Sequence, residues 1–180
     1  MNWFEVIKDA IEPFLDGEKQ PLHVGEVMNL WYYLAGTQHA MRGEQVALNT
    51  VKNEELKKHF QDLQKIHKSV RDDIIALFQK EGIPQPRVTP PKNQAVFANI
   101  PDDAKFSDEE AAQLVSENLV LAITFAARGI TEAGRSDVAA MFAKFMSLKT
   151  AFAITFKDFL KRQGWLILPP AYHSELIGSK

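Results

Sequence analysis

The spacing between helical patterns constrains this chain more than any single motif. Four stretches, at about residues 23–50, 53–81, 107–133 and 136–163, repeat apolar side chains at helical intervals. Each is roughly 28 residues long, or ~40 Å at 1.5 Å per residue. The first two are separated by two or three residues around Val51-Lys52, and the last two by about two around Gly134-Arg135. Links that short force antiparallel neighbours. The middle link, Gly82 to Phe106, has 25 residues and carries Pro84, Pro86, Pro90, Pro91 and Pro101.

A long link without secondary structure needs a reason inside a compact domain. A crossover supplies one. If the second and third helices run parallel, the chain must travel back the length of a helix. A proline-rich strap at ~3.1 Å per residue covers that distance with residues to spare. Two hairpins joined by one long crossover is the ferritin-like connectivity. The expected fold is therefore all-α, an antiparallel four-helix bundle of this kind. A flexible insertion in an up-down-up-down bundle is the competing reading.

Local signals agree with these boundaries. Asn53 caps the second helix, and Ser107-Asp108-Glu109-Glu110 is a capping box for the third. The fourth starts at Ser136-Asp137, and Gly82 and Gly164 stop the second and fourth. Residues 3–15, with Trp3, Phe4, Ile7, Ile11 and Phe14, form a short amphipathic helix ahead of the bundle, and 164–180 form a tail. Both Gly stops are followed by a Pro-Pro pair, at 90–91 and 169–170, so the two hairpins rhyme. The whole chain, 1–180, reads as one domain.

Composition narrows the function classes. There is no cysteine, which excludes disulfides and thiolate metal sites. With 21 basic against 23 acidic residues, no basic excess marks a nucleic-acid or anionic-membrane surface. The start Met1-Asn2-Trp3-Phe4-Glu5 lacks the features of a secretory signal, and the run Leu119–Ala127 is too short to span a bilayer. The expectation is a cytoplasmic protein that binds neither nucleic acid nor membrane.

A ferritin-like bundle raises the question of a di-metal centre. That centre takes a Glu from each of two helices and Glu-x-x-His from each of the other two. No Glu-x-x-His occurs: Gly36, Leu56 and Gln64 precede His39, His59 and His67 by three, and the fourth helix has no acid between Asp137 and Asp158. His23 with Glu26 and His59 with Asp62 read as capping or surface pairs. Each stripe instead carries one polar residue near mid-height: Gln38, His67, Asn118 and Lys149. In register they form one inward polar layer, with the Lys149 cation where metal charge would sit and Glu117 as its nearest counter-ion. No metal cofactor is expected. The alternative is iron, manganese or zinc on a non-standard set, Glu26, His67 and Glu117.

The third helix is apolar on several sides. Leu114, Leu121 and Phe125 face one way, while Leu119, Ile123 and Ile130 face another. Such a helix is buried on most sides, by residues 3–15 and 165–172 or by a second copy. Cover from within the chain is the first expectation, and a homodimer through this helix or the N-terminal segment is compatible with it.

Two segments carry a family resemblance. One is Gly25-Glu26-Val27-Met28-Asn29-Leu30-Trp31. The other is Arg135-Ser136-Asp137-Val138 with Gly164-Trp165-Leu166-Ile167-Leu168-Pro169-Pro170. With the strap after Gly82-Ile83-Pro84, residues 20–172 resemble an uncharacterised ferritin-like family of endospore-forming Gram-positive bacteria, often labelled spore-coat-like. Some members carry the bundle twice; this chain corresponds to one copy. The resemblance implies the bundle, a spore association and spore-coat proteins as partners, but no established activity. The favoured function is a non-catalytic structural or interaction protein. A metal-binding or oxidoreductase bundle is the alternative, and a ligand pocket lined by Trp31, Phe145 and Phe152 is a third reading.

Overall fold

The computed structural model describes residues 20–170; the amphipathic segment 3–15 and the end of the tail lie outside them. Four helices, α1 (Val24–Ala47), α2 (Glu54–Glu81), α3 (Asp108–Glu132) and α4 (Ser136–Gln163), form the bundle, and no strand occurs among the described residues. The first helix ends three residues before its sequence pattern does. Asn49 and Thr50 turn back onto the carbonyls of Val46 and Ala47, and Thr50 Oγ1 bonds Ala47 O as well.

Side-chain pairs fix the directions. Asn29 near the start of α1 bonds Glu132 at the end of α3, 2.8 Å away. Asp73 of α2 pairs with Lys144 of α4 at 2.7 Å, and Glu55 with Arg162. Asp108, at the start of α3, accepts from the backbone N–H of Lys52 (2.7 Å) and Asn53 (2.9 Å), just before α2. The second and third helices therefore start at the same end and run parallel, and the link between them is a crossover. It lies along α1: Arg42 Nε donates to Thr89 O, while Gln45 and Asn49 accept from the N–H groups of Lys92 and Ala95. A strap without its own ladder must satisfy its backbone elsewhere, and these polar side chains do part of that.

The helix ends follow local chemistry. Gly82 and Gly164 adopt left-handed φ of 69° and 74°, and the next residue donates to the carbonyl five back, Ile83 to Phe78 and Trp165 to Leu160. Only glycine takes that conformation cheaply, so the hairpins share their stop signal. The start of α4 has no side-chain cap of its own. Glu26 of α1 accepts from Arg135 N at 2.7 Å, while the Arg135 guanidinium binds Asp137, Glu81 and Gln20 O. One buried network thus ties three helices at this end.

The core is two apolar clusters stacked along the bundle. One contains Leu56, Phe60, Leu63, Leu119, Phe152, Phe156 and Phe159; the other contains Leu30, Leu34, Val70, Ile74, Phe78, Phe142 and Phe145. Buried positions follow alternate steps of three and four: Leu56, Phe60, Leu63, His67, Val70, Ile74 and Leu77 on α2, and Val138, Phe142, Phe145, Lys149, Phe152, Phe156 and Phe159 on α4. That is the period of left-handed knobs-into-holes packing.

The third helix departs from expectation. It turns Leu119 inward together with small residues (Ala111, Ala112, Val115, Ala126 and Gly129) and leaves Leu114, Val120 and Leu121 exposed. Small residues let α3 approach the three inward phenylalanines of α4 beyond Lys149 and the two before it without overfilling the core. The described tail covers only part of its back, with Leu166, Ile167 and Leu168 beside Leu119 and Ile123. By length and composition α3 and α4 would each pass as membrane spans, a property the apolar run 119–127 alone does not reveal.

Gly129 shows how close this approach is. A Cβ there would stand 2.6 Å from the Phe142 ring, which is fully buried. Gly129→Ala should therefore destabilise the protein by about 1–3 kcal/mol through overpacking, although alanine is the better helix former. Urea unfolding checks the sign.

Candidate functional site

Between the two apolar clusters each stripe meets a polar or small residue. On α2, His67 separates Leu63 from Val70; on α4, Lys149 separates Phe145 from Phe152. His67 and Lys149 are sealed from solvent, and Lys149 Nζ contacts His67 Nε2. On the other side of the ring, His67 Nδ1 stands 2.7 Å from Glu44 Oε1, off the line of its N–H. Glu44, on α1, is 4% exposed. Acid, imidazole and amine thus form one buried chain across three helices.

Elementary electrostatics assigns the protons. Burial pushes the Lys149 ammonium down to about 8, against the attraction of Glu44, so at neutral pH it is still charged. Burial first, opposed by the Glu44 contact and reinforced by Lys149, holds the His67 imidazolium below the ordinary histidine range. The consistent state is a Lys149 ammonium donating to Nε2 of neutral His67, with the Nδ1 proton facing the Glu44 carboxylate. The chain carries one positive and one negative charge and closes on itself. Tyr33 Oη, Gln38 Oε1 and Glu44 Oε2 are also enclosed without a hydrogen-bond partner.

The four residues read from the stripes are placed unequally. His67 and Lys149 touch. Gln38 is buried on α1. Asn118 is half-buried on α3, on the walls of two cavities that also meet Glu44 and Lys149 respectively. Glu117 is exposed; it points away because its neighbours Val115 and Leu119 take the inward positions, and the counter-ion is Glu44. The alternative metal set comes apart for the same reason. Glu26 is spent on the Arg135 and His23 backbone N–H groups at one end of the bundle. Among the described residues no three His, Cys, Asp or Glu side chains are grouped to hold a metal ion. His23 caps α1, and Asp62 pairs with Lys65 on the surface. The His59 ring lies among Phe152, Phe156 and Phe159. Phe145 and Phe152 belong to the two apolar clusters, so the third reading does not describe an open pocket either.

Glu44 had a signal of its own. Leu30, Leu34, Thr37, Met41, Glu44 and Leu48 are spaced by four and three in turn, and the step after Met41 lands on the acid. Weighting that stripe by apolarity hides it, because the inward face of α1 also carries Glu26, Asn29, Thr37 and Gln38.

The family model described as a protein of unknown function, DUF3231, matches residues 13–176, and the chain belongs to that family. It is 29% identical to the uncharacterized protein YvdQ of Bacillus subtilis over 157 residues, covering 86% of this chain and 91% of that one. The crystal structure of a "putative spore coat protein" from Bacillus halodurans superposes with a TM-score of 0.83 at 28% identity, covering 86% of this chain and 98% of that chain. A hypothetical protein of Methanococcus jannaschii shares the fold alone, with a TM-score of 0.67 at 18% identity over 92% of this chain and 98% of that one.

Two outcomes follow from the buried chain. Lys149→Met strands the Glu44 charge and should cost about 3–5 kcal/mol, whereas replacing Glu44, His67 and Lys149 together by apolar residues of similar volume should cost far less or stabilise; urea melts of the single and triple variants decide this. The second outcome concerns pH. Between about pH 8 and 10 the unfolded chain holds the Lys149 proton that the folded chain has released, so stability rises with pH there. Below about 6.5 the unfolded chain protonates His67 first, so stability falls as pH drops. Above pH 10 Tyr33, whose hydroxyl burial pushes up, acts in the opposite sense. Lys149→Met should flatten the alkaline rise in melts across pH 7–10.

Proposed function

We propose that this protein is a non-catalytic, ferritin-like structural or interaction protein, made in the cytoplasm and associated with the spore. One observation carries the reading: the ammonium of Lys149 lies against His67 at mid-bundle. Ferritin-like metalloenzymes use this interior for glutamates and histidines that hold two cations. Here the protein's own cation and Glu44 already neutralise one another. Antiparallel hairpins and a long crossover support the ferritin-like assignment. The spore association rests on the designation carried by the Bacillus halodurans neighbour.

The outer face of α3 supports an interaction role. Val120 and Leu121 are 65% and 70% exposed; Val120 lies beside the exposed Ile167 and Leu168 of the tail, and Leu121 beside Tyr32 of α1. Exposed apolar surface of this kind marks contact sites. A second copy through this face is the first partner proposed, with spore-coat proteins beyond it.

Elemental analysis of purified protein tests the first part. Less than one tenth of an equivalent of iron, manganese or zinc, with a melting temperature insensitive to chelator, is expected. Stoichiometric metal that is lost in His67→Ala would overturn the reading. For the surface, Leu121→Asp should shift a dimer to monomer in sedimentation without lowering the melting temperature.

A further inference from the structure

The outer side of α3 carries a second seam. Between Ala111 and Thr131 this helix has only two charged residues, Glu117 and Arg128, one of each sign. They are eleven positions apart, about three helical turns, so both stand on one face. Both are exposed, as are Leu114, Leu121, Thr124 and Thr131. These six residues follow one another at alternate steps of three and four. That is the spacing of a coiled-coil seam. The inward side of α3 has its own seam, through Val115, Leu119, Ala126 and Gly129. Packing within the chain therefore does not account for the outer one.

The outer seam is symmetric about its middle. A two-fold axis crossing α3 between Ala122 and Ile123 sets Leu114 opposite Thr131, Glu117 opposite Arg128 and Leu121 opposite Thr124 of an antiparallel copy. Each seam position then meets another seam position, and the acid meets the base on both sides of the axis, as a self-complementary interface requires. A parallel pair would set Glu117 against Glu117 and Arg128 against Arg128, and like charges in contact are penalised. Both groups have capacity to spare. Glu132 takes the Arg128 Nε at 2.8 Å, and a guanidinium carries further N–H donors. No described side chain pairs with Glu117. Between the two charge pairs the surface is apolar: Leu121 is 70% exposed, with Val120 on one flank and Tyr32 of α1 on the other. The seam from Leu114 to Thr131 is roughly 26 Å long at 1.5 Å per residue. Over about 20 Å of width, one helix and half of each neighbour, two copies bury on the order of 1,000 Å² in total, where specific interfaces begin.

We propose that two copies of this chain pair antiparallel along the outer seam of α3, with Glu117 of each copy bound to Arg128 of the other and Leu121 near the axis. This rests on the reading of the outer α3 face as the contact site for a second copy, and adds its direction, register and charge code.

The test uses the full chain in sedimentation equilibrium. Glu117→Arg places Arg against Arg at both contacts, and Arg128→Glu places Glu against Glu. Each should weaken self-association at least about ten-fold, with the helical circular dichroism unchanged. Mixed in equal amounts, the two variants should form a heterodimer of about wild-type affinity, because each contact again joins opposite charges. The chain has no cysteine, so a spin label on Glu109→Cys reports direction. The two labels should lie roughly 40 Å apart in the antiparallel dimer, against about 10 Å in a parallel one. A dimer that Leu121→Asp breaks but both charge variants leave intact, a mixture that stays monomeric, or labels about 10 Å apart would each overturn this pairing and leave the contact face standing. A wild-type chain that stays monomeric would overturn both.

Discussion

The contact of Lys149 with His67, and of His67 with Glu44, is the constraint around which the bundle is arranged. Three polar groups sealed among phenylalanines and leucines are tolerated only in the one register that brings them together. A slide of either hairpin by one turn would keep most apolar contacts in some form, because the stripes repeat every seven residues. It would also part the ammonium from its acceptor and leave two charges buried alone, at several kcal/mol each. The chain of contacts crosses α1, α2 and α4, so it fixes both hairpins relative to one another. Apolar clusters above and below then pack without needing to specify the alignment themselves.

The ends of the bundle use polar groups in a different way. Glu26 caps a helix that is not its own, and Arg135 gathers Asp137, Glu81 and a backbone carbonyl. Glu26 and Arg135 are nearly enclosed, while the Glu81 and Asp137 side chains keep 22% and 21% of their surface in water. These contacts act as clasps that keep helix ends together while the mid-bundle relay sets the register. The strap belongs to the same economy of satisfied groups: prolines remove donors, and side chains of α1 accept or donate for several that remain.

The third helix accounts for most of what is unusual in the surface. Its small residues face inward so that α4 can approach, which leaves its large ones outside. The same choice opens the cavity beside Glu44 and exposes Val120 and Leu121. One sequence decision, small residues on the inward side of α3, thereby contributes both to the exposed apolar face and to the opening beside Glu44.

Sequence alone determined the four helices, their stops and the crossover, since these rest on local rules: apolar period, caps, glycine in the left-handed region, and the reach of a proline-rich link. It also placed His67 and Lys149 on inward stripes, because both interrupt long apolar series at regular steps. Tertiary structure decided the rest. Glu44 became the counter-ion, and Glu117 did not, because the inward face of α1 is defined by what packs against it and not by its apolarity. The side of α3 that is buried was likewise unreadable, since small residues face inward there and the outward leucines look like core. Burial is a property of neighbours, and a single chain of letters states neighbours only along its own length.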